Sequence, residues 1–180
     1  MSRRRGLLGL LVSWLWVLGA MPAGAAPYTG LDLSFFTARI PATSDAAPRT
    51  VQMRLGLPFP QWGLALEGRF GAGLGGDTVV RNDGARWTLF LPYHYGVYAI
   101  GELPVADQAR LRSMVGYTRA LIEEDVAGVI SERVEAGLSF GLGGEWIIDR
   151  RGSFMVEYAR LLDNERIGLY ALQLGWKFPF

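Results

Sequence analysis

The closing stretch, Tyr170-Ala171-Leu172-Gln173-Leu174-Gly175-Trp176-Lys177-Phe178-Pro179-Phe180, decides the fold. Every second residue, Tyr170, Leu172, Leu174, Trp176, Phe178 and Phe180, is apolar or aromatic. The residues between them, Ala171, Gln173, Gly175, Lys177 and Pro179, are small or polar. Side chains of an extended strand alternate between its two faces, so this segment is a strand with one greasy face and one polar face.

Seven earlier segments repeat the split. Leu31, Leu33 and Phe35 oppose Gly30, Asp32 and Ser34; Val51, Met53, Leu55 and Leu57 oppose Gln52, Arg54 and Gly56. Leu64, Leu66 and Phe70 oppose Ala65, Glu67, Arg69 and Gly71. The fourth segment is less regular: Leu91, Tyr93, Tyr95, Val97, Ala99 and Leu103 face Gly96, Tyr98, Ile100 and Glu102, and a bulge is expected there. Leu111, Val115 and Tyr117 then oppose Arg112, Met114, Gly116 and Thr118. Leu138, Phe140, Leu142 and Trp146 oppose Ser139, Gly141, Gly143 and Glu145, and Phe154, Val156 and Tyr158 oppose Met155, Glu157 and Ala159. Short turns are expected at Pro58 to Gln61, Pro104 to Gln108 and Asp149 to Gly152. Longer polar loops are expected at Ile40 to Arg49, Gly73 to Ala85, Ile122 to Glu132 and Leu162 to Ile167. Alternation of short and long connections is the habit of outer-membrane barrels, with short periplasmic turns, longer outer loops and both termini on the periplasmic side. The expected fold is all-β, an eight-stranded antiparallel up-and-down transmembrane β-barrel.

Alternation alone also fits a soluble barrel, in which the greasy face points inward. Three features favour the membrane arrangement. The polar face is rich in glycine (Gly56, Gly71, Gly116, Gly141, Gly143, Gly175), which suits a narrow lumen. It carries both charge signs, Asp32, Glu67, Glu102, Glu145 and Glu157 against Arg54, Arg69, Arg112 and Lys177, as an enclosed space that cannot hold isolated ions requires. Aromatics gather toward strand ends on the apolar face: Trp146, Trp176, Phe178 and Phe180 at the periplasmic end, Phe35, Phe70, Tyr117, Tyr158 and Tyr170 at the other.

Composition agrees. The 180 residues are 50% hydrophobic and 19% charged with net charge +1, so no basic field points to nucleic acid. With no cysteine, a disulfide framework and a thiolate metal site are excluded. Arg3, Arg4 and Arg5 precede an apolar run from Gly6 to Gly19, and Ala23-Gly24-Ala25 supplies small residues for cleavage. Residues 1–25 therefore read as a cleaved signal peptide and 26–180 as the barrel domain, exported to the outer membrane of a Gram-negative envelope. Later apolar stretches are broken by Arg, Glu, Asp or Gly well short of the roughly 20 residues that a membrane helix needs.

The stretch Leu66-Glu67-Gly68-Arg69-Phe70-Gly71-Ala72-Gly73 resembles the third strand of the OmpA-like outer-membrane β-barrel proteins, the porin family. So do Tyr95-Gly96-Val97-Tyr98, Glu102-Leu103-Pro104, Val115-Gly116-Tyr117-Thr118-Arg119, Gly141-Leu142-Gly143-Gly144-Glu145-Trp146 and Val156-Glu157-Tyr158. The closing strand, with Trp176, Phe178 and a terminal Phe180, is similar to the signal that the barrel-assembly machinery reads. Pro179 departs from that pattern, since proline cannot donate to a strand ladder. The resemblance implies outer-membrane lipid, lipopolysaccharide and the assembly machinery as partners of a monomeric barrel.

Little in the chain points to chemistry. His94 is the only histidine, and no serine occupies a neighbouring position on its face; Ser113 and Ser139 lie on other strands. A lipid-modifying enzyme would need a nucleophile, a base and an acid together, so His94 is read as a packing residue. Gly71-Ala72-Gly73-Leu74-Gly75-Gly76 matches G-x-G-x-x-G but lacks the following helix of a dinucleotide site and is read as a flexible outer loop. Glu123, Glu124 and Asp125 are read as a solvated loop rather than a cation site. No metal or cofactor is expected. The interior of an eight-stranded barrel is just wide enough for side chains to fill. Arg54, Glu67, Arg69, Glu102, Arg112, Glu145 and Glu157 are thus expected to form a lumen charge network with a structural or gating role. The expected function is non-enzymatic, a structural or surface-interaction role with a plugged lumen; a narrow channel is the alternative and a lipid A-modifying enzyme a third. No domain is expected after Phe180 to anchor the barrel to peptidoglycan.

Overall fold

The computed structural model describes residues 26–40, 44–80, 84, 86–126 and 128–180; the expected signal peptide over 1–25 lies outside them. The strands are β1 (Tyr28–Arg39), β2 (Arg49–Phe59), β3 (Leu64–Gly75), β4 (Asp77–Val80), β5 (Arg86–Ala106), β6 (Ala109–Val126), β7 (Val129–Asp149), β8 (Gly152–Asp163) and β9 (Gly168–Pro179). Sequence neighbours other than β3 and β4 pair antiparallel, β1 pairs with β9, and β3 pairs with β5, so eight strands close on themselves. β4 is not a ninth stave. It continues the line of β3 past Gly76 and pairs only with the far end of β5.

Closure puts the faces where the membrane reading requires. Asp32, Arg54, Glu67, Arg69, Arg112, Glu145 and Glu157 are buried, while Met53, Leu55, Phe70, Val97, Tyr117, Leu138 and Leu142 stand exposed around the outside. Leu142, 65% exposed, is one of a contiguous set of such residues, an apolar wall larger than a water-facing surface carries. At the short-turn end Trp176 packs between Phe154 and Phe178 on the outer wall, a cluster at the height expected for an interfacial girdle. The β2–β3 turn is a single 3₁₀ turn, Pro60–Trp62, closed by Gly63 at φ 61°, a conformation that only glycine adopts without strain.

The long connections depart from expectation. Among the described residues of Gly73 to Ala85 and Ile122 to Glu132 most are strand: β3 runs to Gly75, β4 covers Asp77–Val80, β6 runs to Val126 and β7 begins at Val129, while 81–83, 85 and 127 lie outside the described residues. The glycine-rich run from Gly71 is thus not a flexible loop but the end of β3, with its break at Gly76. At about 3.4 Å per residue and a tilt near 40°, a 12-residue strand such as β8 rises about 30 Å, close to the height of a lipid band. The 21-residue β5 and β7 rise about 55 Å on the same geometry, so β4 to β7 project well beyond the band as a sheet.

The bulge expected in the fourth segment is present. The β5–β6 register shifts between Phe90 and Tyr93, across Pro92. Trp87, Leu89 and Leu91 therefore point inward on one phase, and His94, Gly96, Tyr98 and Ile100 on the other. Leu91, expected on the outer face, is fully buried for this reason. Pro179 is accommodated at the strand end. It sits opposite Tyr28, Phe180 N–H donates to Pro27 O at 3.0 Å, and the pairing with β8 already stops at Lys177.

Candidate functional site in the barrel lumen

The barrel interior has two storeys. Toward the short-turn end, inward positions of all eight staves meet in an ionic network. Glu67 on β3 lies at its centre and is fully buried. Arg69 reaches it from two residues along the same strand, with Nε 2.8 Å and Nη2 2.6 Å from Oε2. Arg54 on β2 lies 3.5 Å away, Arg112 on β6 donates to Oε1, and the Tyr28 hydroxyl donates to the same oxygen at 2.5 Å. Three guanidiniums around one carboxylate demand further anions. Asp32 on β1 takes Arg54 through both oxygens, at 2.8 and 2.7 Å. Glu157 on β8 takes both terminal nitrogens of Arg69, one of them at 3.1 Å. In this inner group three carboxylates face three guanidiniums, which is the balance that a dry interior enforces.

A second group sits nearer the short-turn mouth. Glu145 on β7 accepts from Lys177 Nζ at 2.6 and 2.7 Å and from Ser153 Oγ at 2.6 Å, and Arg112 stands 3.7 Å away. Glu102 lies at the rim, 3.4 Å from Arg110, 3.5 Å from Lys177 and 4.0 Å from Arg112. Arg112 thus bridges the two groups.

Glycines make this density possible. A methyl group at Gly56 would strike the Tyr28 ring, and one at Gly175 would strike the Asp32 carboxylate. Both stand beneath side chains that cross the lumen, where no Cβ fits.

Above the ions comes a polar belt. Thr50 Oγ1 lies 3.2 Å from His94 Nε2, and the Tyr98 hydroxyl, Thr118 and Ser139 form a chain with steps of 2.7 and 2.6 Å that ends on Leu161 O at 2.8 Å. His94 is buried, its ring edge-on to Phe36 at 5.3 Å and seated over Gly71. Ser139 is engaged with Thr118 and the Leu161 carbonyl, so His94 has only Thr50 as a hydroxyl neighbour at bonding distance among the described residues. The second storey then closes the long-hairpin end with an apolar core: Trp87, Leu89, Leu91, Ile122, Leu161, Leu162, Ile167 and Leu169.

All seven lumen charges named from the sequence meet here, with Glu102 and Glu145 in the mouth group and the other five inward of it. The same network includes residues the sequence reading did not assign to it. Asp32 and Lys177 were visible as polar-face charges. Gln52 and Gln173 bond to Asp32 and Arg69 at 3.2 and 3.0 Å and share the inward phase, which was their available signal. Tyr28 and Tyr98 had none, because an aromatic residue on the polar phase reads as an irregularity; Tyr98 lies under the Arg69 guanidinium at 4.7 Å. Trp176, Phe178 and Phe180 sit on the outer wall at the end of β9. The acidic run is part of the projecting hairpin, where Glu124 pairs with Arg133 at 2.6 Å and Asp125 Oδ1 accepts from Gly128 N–H at 2.9 Å.

Comparison with known proteins places this geometry. The family model for the outer membrane protein beta-barrel domain matches residues 9–180. No curated protein matches the sequence significantly. Among solved structures, the chain is similar to Ail, the attachment invasion locus protein of Yersinia pestis, at 12% identity and TM-score 0.63, with 87% of this chain and 99% of that one covered. It is similar to Neisserial surface protein A at 14% identity and TM-score 0.64 over the same shares. The N-terminal β-barrel domain of Pseudomonas aeruginosa OprF aligns at 16% identity and TM-score 0.53, over 84% of this chain and 97% of that one. At such identities the likeness is one of fold.

Proposed function

The chain belongs to the outer membrane protein β-barrel domain family, and on that premise we propose that it is a non-enzymatic barrel, closed to bulk diffusion, that acts at the cell surface through the sheet projecting from its long-hairpin end. The observation that carries this reading is the open edge of β7. Its residues from Phe140 onward pair with β8, whereas the backbone of Val129 to Val134, beyond the level at which Asn164 donates to Glu135 at 3.0 Å, pairs only with β6 among the described residues. An unpaired strand edge standing in water is a template for an extended segment of another protein. Val129 and Ile130 at its tip are 70% and 62% exposed, which gives such a segment apolar surface beside the backbone donors. Ail is named for attachment and invasion, and the other relative for the surface, which accords with this reading.

The test uses the protein in lipid nanodiscs, screened against displayed libraries of extended peptides. Binders should emerge whose affinity disappears when the β6–β7 hairpin is shortened to end at the level of Leu121 and Val134. If the shortened protein binds as the full one does, the edge is not the docking element. In the same preparation, planar bilayers should show no large, stable conductance. His94 is sealed between Phe36, Thr50 and Gly71, and that burial supports the non-enzymatic reading.

One observation favours a second reading, a narrow gated channel. Arg112 stands within 4.0 Å of three carboxylates, Glu67, Glu145 and Glu102, so a small rotation exchanges one partner for another. In that case Arg112→Gln would open discrete conductance steps that the native protein shows only rarely.

A further inference from the structure

At the short-turn mouth the lumen opens into a cavity of about 200 Å³ whose wall includes Ala26, Glu102, Arg110, Glu145, Asp149 and Lys177. Its charges do not balance. Three carboxylates face two cations, Arg110 and Lys177, whereas the network beneath is even. Arg112, the next cation inward, donates to Glu67 and comes no nearer than 3.7 Å to Glu145 and 4.0 Å to Glu102. The turn arginines Arg150 and Arg151 are exposed and do not line the cavity. Glu102 carries the deficit: its Oε1 is buried without a hydrogen-bond donor, and the cations nearest that oxygen stop at 3.5 and 4.0 Å.

The missing cation is within the chain. Ala26 lies on the cavity wall, and it is held there, because Phe180 N–H bonds Pro27 O at 3.0 Å and Tyr28 pairs with Pro179. One residue of freedom remains before the chain is fixed in the sheet. The small residues Ala23-Gly24-Ala25 put the export cleavage immediately before Ala26. We propose that the α-ammonium exposed at Ala26 by that cleavage is a ligand of this vestibule, seating against Glu102 so that N-terminal processing completes the plug. The step is a hydrolysis: an export peptidase breaks the Ala25–Ala26 bond, water gives its hydroxyl to the Ala25 carbonyl, and Ala26 leaves as an amine that takes up a proton. An uncut chain offers an amide at the same place, which carries no charge. The inference rests on the expected signal peptide and extends the closed-lumen reading.

The sequence makes the test clean, since Lys177 is the only lysine and the processed chain has only one other amine. Protein exported in cells is extracted from the outer membrane in its native fold. Intact mass fixes its first residue, and timed acetylation at neutral pH, read by peptide mass spectrometry, gives the rate at the α-amine. An ammonium held by a carboxylate is protected, so the folded protein should label about tenfold slower than the heat-unfolded one, the effect of a single unit's stabilisation of the charged form. Glu102→Gln should restore most of the unfolded rate, with heat-modifiable gel migration confirming that the barrel is intact. A variant with Gly-Ser-Gly inserted before Ala26 should lose protection while keeping the native fold. Equal rates in the folded and unfolded native sequence, or protection unchanged in Glu102→Gln, would overturn the docking. A mature N-terminus elsewhere would overturn it by another route, through the cleavage site, and the mass alone distinguishes the two failures.

Discussion

Replacing Glu67 by glutamine keeps the volume of the side chain and removes one charge, which makes it the sharpest test of the interior. Glu67 is fully buried and accepts from Arg69 at 2.6 and 2.8 Å, from Tyr28 at 2.5 Å, and from Arg112, with Arg54 at 3.5 Å. In Glu67→Gln the inner group becomes three guanidiniums against Asp32 and Glu157, one cation in excess. The new amide also brings two donors to a place where the neighbours on every side are donors, and only the Tyr28 oxygen accepts. Removing one partner from a buried ionic cluster costs about 3–5 kcal/mol, because the remaining charge stays desolvated. The contrast is Arg110→Gln at the mouth, whose side chain is 37% exposed and whose pairing with Glu102 is worth about 0–1 kcal/mol after solvent screening. Both variants would be refolded into phospholipid vesicles and unfolded with urea, with tryptophan emission and gel migration read in parallel. A loss below about 1 kcal/mol for Glu67→Gln would refute the dry, balanced interior, since a solvated lumen would tolerate the change as a surface does. The double variant Glu67→Gln/Arg112→Gln restores the charge count and should recover about 0.5–3 kcal/mol of the loss as coupling energy.

Three further outcomes follow from the same geometry. Leu142→Arg, on the outer wall opposite Ser113 and Tyr158, should cost about 2–4 kcal/mol in the vesicle assay, whereas Ile130→Arg in the projecting hairpin should cost about 0–1 kcal/mol. Gly71→Val puts carbon where the His94 ring lies and should destabilise by about 1–3 kcal/mol, with His94→Ala added in the same chain relieving part of it. The chain from Ala26 onward should need detergent or lipid to fold, and a water-soluble monomer recovered without either would show that the two faces had been assigned the wrong way round.

The barrel was legible because each strand in the lipid band states its two faces separately. In β9 the alternation from Tyr170 to Phe180 is unbroken, and in β2, β3 and β8 the inward charges Arg54, Glu67, Arg69 and Glu157 fall on one phase without exception. Pairing of those charges was legible in kind but not in partner. Arg69 and Glu67 are neighbours on one strand, yet Arg69 also reaches Glu157 on β8, 88 residues on, and no spacing rule fixes that distance. The reading failed where the pattern changes. Leu91 was put outside because one phase was carried through Pro92, and a bulge shifts every residue beyond it to the other face. Gly73 to Ala85 and Ile122 to Glu132 were taken as loops because they are polar and glycine-rich, and polarity was used as the mark of a loop. Their strand order comes from pairing with β5 and β7, which local composition does not express.

That last failure has a single physical cause, which also locates the membrane on the strands. Within the lipid band the outer face must be greasy and the inner face is free to be polar; above it the outer face meets water and the inner face reverts to the apolar core of any soluble sheet. β6 carries both halves. Its lower part turns Val115 and Tyr117 outward with Arg112 inward, and its upper part turns Arg119, Glu123 and Asp125 outward with Ala120 and Ile122 inward. The polarity reverses between Tyr117 and Arg119 although the alternation of faces does not break. β5 reverses at its bulge, from Tyr95 and Val97 outward over buried His94 to Arg86 and Thr88 outward over buried Trp87 and Leu89. Arg160 on β8 and Arg39 on β1 stand on the outer wall at the corresponding end, each beside an aromatic ring, Phe140 at 5.4 Å and Tyr170 at 4.9 Å. A window that scores one face for grease sees such a strand stop at the reversal, whereas hydrogen bonding carries it on to Val126. The apolar storey thus fills the long-hairpin end of the barrel, and the ionic storey fills the part whose outward face is apolar; on β5 and β6 that outward face turns from apolar to charged near Arg119, the level at which this pattern puts the edge of a lipid band.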